Sequence, residues 1–111
     1  MAKEFRIPRW QLRPIAPGLG DAFATDRITV EGMRVGYMYR EEPDDLLDSG
    51  WRFLSGDESD EYLDDGEHLE ICDVNTIANY DPDIVPYLGA PVGTAFERRE
   101  GRQFVEVRFA N

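Results

Sequence analysis

At 111 residues the chain has the length of one ordinary domain, long enough to bury roughly two-thirds of its unfolded surface in a single core. Its 12 Lys+Arg against 23 Asp+Glu leave a net charge of -11, which repels nucleic-acid phosphates and anionic lipid and recruits basic partners, while 6 Phe, 5 Tyr and 2 Trp exclude a disordered acidic tail. The single cysteine, Cys72, excludes an internal disulfide, and without an apolar stretch of signal-peptide or membrane-spanning length a cytoplasmic location is expected.

In residues 1–23, Pro8, Pro14, Pro17, Gly18 and Gly20 predict an extended, turn-broken arm, followed by a single domain over 24–111. Gly18-Leu19-Gly20 is a turn and not a phosphate loop, since it lacks the third glycine, a preceding apolar strand and a Lys-Ser/Thr pair. Ile28 and Val30 alternate with polar neighbours, Gly32 marks a bend, and Met33, Val35, Tyr37 and Tyr39 alternate in turn. That pattern predicts two adjacent strands, a hairpin. A polar loop over Glu41–Ser49 leads into a strand with Trp51, Phe53 and Ser55 on one face and Arg52 and Leu54 on the other, stopped at Gly56.

A short helix is expected between Ser59 and Asp64, capped by Ser55, Asp57 or Ser59 and stopped by Gly66. Leu69 and Ile71 then alternate with Glu70 and Cys72 as a brief strand. Asp73 can cap a helix over Val74–Asn79, and Asp81-Pro82 repeats the device for a second short helix with Ile84, Val85 and Leu88 inward. Ala95–Arg98 and Phe104–Phe109 form a hairpin turning at Glu100-Gly101. The whole is an α+β domain with a mainly antiparallel sheet and a few short helices.

Residue chemistry argues against catalysis. His68 and Cys72 are the only soft metal ligands, fewer than a zinc site needs. Placing Gly66 at the obligatory glycine of a calcium loop puts Leu63 and Cys72 at ligand positions, so that register fails, and a solvated acidic surface is the expectation. A Cys-His nucleophile pair is disfavoured because on one extended strand the two side chains lie about 13 Å apart. Cys72 is expected to be buried and inert. No enzyme activity, metal or cofactor is expected.

Recognition is the stronger case. Tyr37, Tyr39, Trp51 and Phe53 lie on two strands whose alternation can gather them on one face, with Phe53 and one tyrosine as core. Trp51, following Ser49-Gly50 at the start of its strand beside Arg52, is expected to be half covered and to touch a partner.

Three ordered strings, Val35-Gly36-Tyr37-Met38-Tyr39-Arg40-Glu41-Glu42-Pro43, Ser49-Gly50-Trp51-Arg52-Phe53-Leu54-Ser55-Gly56-Asp57-Glu58 and Asp73-Val74-Asn75-Thr76-Ile77-Ala78-Asn79-Tyr80-Asp81-Pro82-Asp83-Ile84, resemble a bacterial family first described as a domain of unknown function. That family was later grouped with the immunity proteins of polymorphic toxin systems, as immunity family thirty-three. The resemblance runs over about Ala24–Phe96 and implies a non-enzymatic protein that binds and neutralises a cognate toxin. An acidic surface would steer such a protein onto a basic toxin. The expected partner-binding residues are Trp51, Arg52, Asp57, Glu58, Asp60 and Glu61. The alternative is a small-ligand or regulatory module using Tyr37, Tyr39, Asn75, Thr76, Asn79 and Tyr80.

Overall fold

In the computed structural model, which describes residues 3–100 and 103–109, six strands form one sheet. They are β1 (Asp21–Thr25), β2 (Tyr37–Arg40), β3 (Asp48–Leu54), β4 (Leu69–Asp73), β5 (Ala95–Arg98) and β6 (Phe104–Val107). Their order is β4-β1-β3-β2-β5-β6, and every neighbouring pair is antiparallel except β1 with β3. The helices are short: α1 (Asp26–Thr29), α2 (Asp60–Asp64) and α3 (Val74–Tyr80), with 3-10 turns at Arg9–Gln11, Gly66–His68 and Pro82–Tyr87. The α+β class and the mainly antiparallel sheet thus stand as expected. Among the described residues no helix is long and apolar enough to cross a membrane.

One face of the sheet carries the core. Ala22 and Ala24 of β1 are small enough for α3 to pack closely, and Val74, Ile77 and Ala78 of that helix are buried with them. Met38, Trp51, Phe53 and Phe96 continue the layer, which Ile28, Ile84 and Leu88 close. Burial of these side chains at about 25 cal/mol per Å² is the main stabilising contribution.

Local capping rules place the helices. Ser59 Oγ accepts from Tyr62 N at 3.1 Å, Asp73 Oδ1 from Asn75 N at 2.8 Å, and Asp81 Oδ1 from Asp83 N at 3.1 Å. The last of these starts a 3-10 turn and not an α-helix, with Pro86 inside it. Asp81 is itself buried; its other oxygen accepts from Val35 N at 3.0 Å and from the Arg98 guanidinium, tying the turn to β2 and β5.

Three expectations are corrected. Residues 26–29 form a helical turn, with Val30 N and Glu31 N both bonded to the Asp26 carbonyl. Ile28 and Thr29 are buried side by side, which a two-residue alternation cannot achieve, and so short a stretch carries too little periodicity to tell the two apart. A strand also lies across the expected arm boundary at 23/24, its alanines being weak strand formers. Finally, the register sets Met38 opposite Phe53 and Tyr39 opposite Arg52, so the tyrosines share a face with Arg52 and Leu54 and not with Trp51 and Phe53. The β5–β6 hairpin is present, with Arg98 paired to Phe104. Its expected turn residue Gly101 lies outside the described residues.

Candidate functional site

The second face of the sheet is only partly covered: Phe23, Tyr37 and Tyr39 are half-buried around a buried Arg52. Register alone lines up Ile71, Phe23, Arg52 and Tyr39 in one row across β4, β1, β3 and β2. The Arg52 guanidinium stands 4.6 Å over the Phe23 ring, and Tyr39 meets Tyr37 at 5.7 Å and Phe109 at 5.4 Å between ring centroids. Beside this row a depression of ≈ 310 Å³ is lined by Phe23, Tyr39, Arg52, Leu54, Leu63 and Leu69. Burial, then the charges of Glu97 and Glu41 respectively, raise the Tyr37 and Tyr39 phenols above their ordinary value, so both stay neutral.

A bulge in β3 makes this geometry possible. Asp21 pairs with Asp48 but Phe23 with Arg52, so two steps along β1 match four along β3. Gly50 takes φ +90°, and a Cβ there would lie 2.3 Å from the Glu41 carbonyl oxygen, so only glycine fits. Past the bulge, Trp51 turns into the core and Arg52 onto the open face.

Trp51 is therefore not half covered. It is 1% exposed, stacked between Phe53 and Phe96, and its Nε1 donates to the Leu88 carbonyl at 3.2 Å. The expectation that this ring is half covered is corrected: it lies in the core. Arg52, also buried, donates from Nη1 and Nη2 to both oxygens of Asp48 at 2.9 Å and from Nε to Glu41 at 2.6 Å. Burial pulls the Arg52 guanidinium down, but its bonds to Asp48 and Glu41 outweigh that and hold it above its ordinary value. Those same bonds, against burial, hold the Asp48 carboxyl well below the usual carboxylate range. Arg52 thus positions the face more than it presents a free charge.

The four expected acids divide. Asp57, Asp60 and Glu61 are exposed, on the segment that follows β3 and on α2. Glu58 turns inward and accepts from Thr25 Oγ1 at 2.5 Å, Ser55 N at 2.9 Å and Gly56 N at 2.9 Å. Burial pushes its carboxyl up, yet those bonds prevail and leave it below the ordinary value. It holds the turn that ends β3. Asp57 also accepts from Ser55 Oγ and lies 3.3 Å from Arg27 Nε.

Asn75, Asn79 and Tyr80 do not offer free polar groups to a ligand. Asn75 Oδ1 accepts from Ile15 N and Ala16 N at 2.7 Å, and its Nδ2 donates to the Arg13 carbonyl at 2.8 Å. Asn79 accepts from Arg13 N and donates to the same carbonyl, both at 2.9 Å. Tyr80 Oη accepts from Ile7 N and donates to the Thr29 carbonyl. Together they bind the arm along α3, and Thr76 is buried beneath it.

His68 and Cys72 are each held in local structure. His68 stacks on Tyr62 at 3.9 Å, and its Nδ1 donates to the Tyr62 carbonyl at 2.8 Å. The Cys72 thiol is pushed up to about 12 by burial, then by the charges of Glu70, Asp73 and Asp21, which leaves almost no thiolate at neutral pH. Among the described residues no group of three or more His, Cys, Asp or Glu is placed to hold a metal ion.

Phe23, Leu63, Leu69 and Ile71 on the open face are additions to the residues expected from sequence. The alternation Ala22-Phe23-Ala24 was the signal for the first of them.

Compared with known families, residues 22–108 match the model described as Immunity protein Imm33 domain. That span takes in all six strands apart from Asp21 and leaves residues 1–21 outside it. No curated protein and no solved structure matches the chain at a significant level.

Proposed function

The chain belongs to the Imm33 immunity protein domain family, and on that premise we propose that it binds and neutralises a cognate basic toxin, without catalysis, through an acidic and aromatic surface. The observation that carries this reading is the half-covered sheet face, where Phe23, Tyr37, Tyr39 and Phe109 gather around an internally neutralised Arg52. Aromatic rings on rigid strands give large contact area at small entropic cost, as interface centres require. Carboxylates border both ends of β3: Glu41, Asp44 and Asp45 before it, Asp57, Asp60 and Glu61 after it. Such an arrangement, a ring-rich centre with a charged rim of one sign, suits a partner with a basic rim and draws it in from solution.

The residues proposed to bind the toxin are thus the open-face rings with Asp57, Asp60 and Glu61. Trp51, Arg52 and Glu58 support them from within. Binding to the toxin takes place in the cytoplasm of the producing cell. Replacing Asp57, Asp60 and Glu61 together by Asn, Asn and Gln is expected to slow association with the purified toxin about tenfold at low salt and to flatten its salt dependence, with dissociation little changed. Stopped-flow measurement at two ionic strengths checks this, and identical association rates for the two proteins would refute the steering role.

A further inference from the structure

The loop between β2 and β3 carries two adjacent, strongly exposed apolar side chains: Leu46 is 103% exposed and Leu47 71%. They sit between Asp44, Asp45 and Asp48 in a segment held by many bonds. Asp45 Oδ1 accepts from Leu47 N at 2.9 Å and Asp48 N at 3.0 Å, while Asp48 Oδ2 accepts from Asp44 N at 2.8 Å. The Leu47 carbonyl accepts from Asp21 N at 2.7 Å, and Gly20 (φ +101°) approaches it so closely that a Cβ there would lie 2.7 Å away. Arg52 grips the base of the loop through Asp48. Two leucines are thus held in water by a rigid frame. Folding this loop back onto the domain would break the bonds to Asp21 and Arg52.

The loop is continuous with the open face. Asp44, Asp45 and Asp48 line, with Phe23 and Ile71, a depression of ≈ 140 Å³, and Ile71 is itself 62% exposed. An apolar knob surrounded by carboxylates fits an apolar socket rimmed by lysine or arginine. A second copy of this chain is a poor occupant, because it would bring Asp44 and Asp45 against the same acids on a molecule of net charge -11. An anionic membrane is repelled for the same reason.

We infer that Leu46 and Leu47 form the insertion point of the interface, entering an apolar pocket ringed by basic side chains on the cognate toxin. This rests on the immunity reading above and names the part of the surface that holds the complex together. Burying leucines that stand in water gains free energy in proportion to the apolar area removed from it, and the prearranged loop loses little freedom on binding. The leucines set the lifetime of the complex, while the outer acids set its rate of formation.

The test uses the full chain and the toxin that co-purifies with it from the native host, re-purified alone. The double variant Leu46→Ser/Leu47→Ser is expected to weaken the dissociation constant at least about 30-fold, through faster dissociation, with association rate and salt dependence kept. Its melting temperature should be unchanged, since neither side chain contributes to the core, and Leu46→Met should retain near wild-type affinity. Wild-type affinity in the double variant overturns the insertion while leaving the immunity reading intact, provided the Asp57/Asp60/Glu61 variant still associates slowly. If the wild-type chain binds no toxin, both fall. Self-association that disappears in the double variant would make a second copy the occupant and overturn the assignment.

Discussion

Trp51 lies in the core because Gly50 opens a bulge just before it. The strand begins at Asp48, three residues earlier than its aromatic run, so the ring is already interior when the alternation starts. Replacing Trp51 by Ala is expected to cost about 3–5 kcal/mol in urea denaturation, the usual range for a large buried ring. Acrylamide should quench the exposed Trp10 and leave Trp51 emission nearly untouched in the wild type. The alternation of Trp51, Arg52 and Phe53 between faces was legible from the sequence, as the core placement of Phe53 was. What was not legible was register, since the pairing of Tyr39 with Arg52 depends on a contact thirteen residues away and on a bulge that one glycine permits. Glu58 teaches the same lesson. Among so many acids, nothing in its neighbours' identities distinguishes the one that turns inward to Thr25.

At the scale of elements, local rules were read more easily than long-range ones. Ser59, Asp73 and Asp81 were legible as caps because each bonds an amide two or three residues on. The attachment of the arm to α3 was not, because Asn75 meets residues 59 to 62 positions earlier in the chain. Asn75→Ala should leave Ile15 N, Ala16 N and the Arg13 carbonyl without that side chain, at a cost of about 1–3 kcal/mol. Hydrogen exchange provides the check: amides of 15 and 16 should exchange much faster in the variant while those of β3 keep their protection. Uniform loss of protection would mean that the arm is integral to the whole fold. The open face inherits its shape from these elements, as α2 supplies Leu63 and β4 supplies Leu69 to the depression beside Arg52.

For the molecule as a whole, the excess of acid has a thermodynamic side. Asp48 and Glu58 are both held below their ordinary carboxylate values in the folded state. The unfolded chain therefore binds more protons than the native one as the solution is acidified. Their stabilising contribution is fully present above about pH 4.5, and it is lost as pH falls through the folded values. The urea midpoint should accordingly decline steadily below about pH 4.5, and Asp48→Asn should flatten part of that decline. A midpoint independent of pH across this window would contradict the role given to these two carboxylates. The charge balance and the α+β class were apparent from composition and patterning. The parallel pair within the sheet was not, because β1 and β3 are separated by α1 and β2 and no local pattern announces which strands will meet.

That parallel pair governs the order in which the protein can come into being. β1 leaves the ribosome first among the strands, yet its two neighbours in the sheet end at Leu54 and Asp73. Until β3 has been synthesised it has no partner on either edge, and until β4 has been synthesised one edge stays unpaired; non-local pairing of this kind is slow to nucleate. The row from Ile71 through Phe23 and Arg52 to Tyr39 spans four strands made at four different times. A nascent chain halted before β4 would lack Leu69 and Ile71, so the row is completed only when the strand on its far edge has been made.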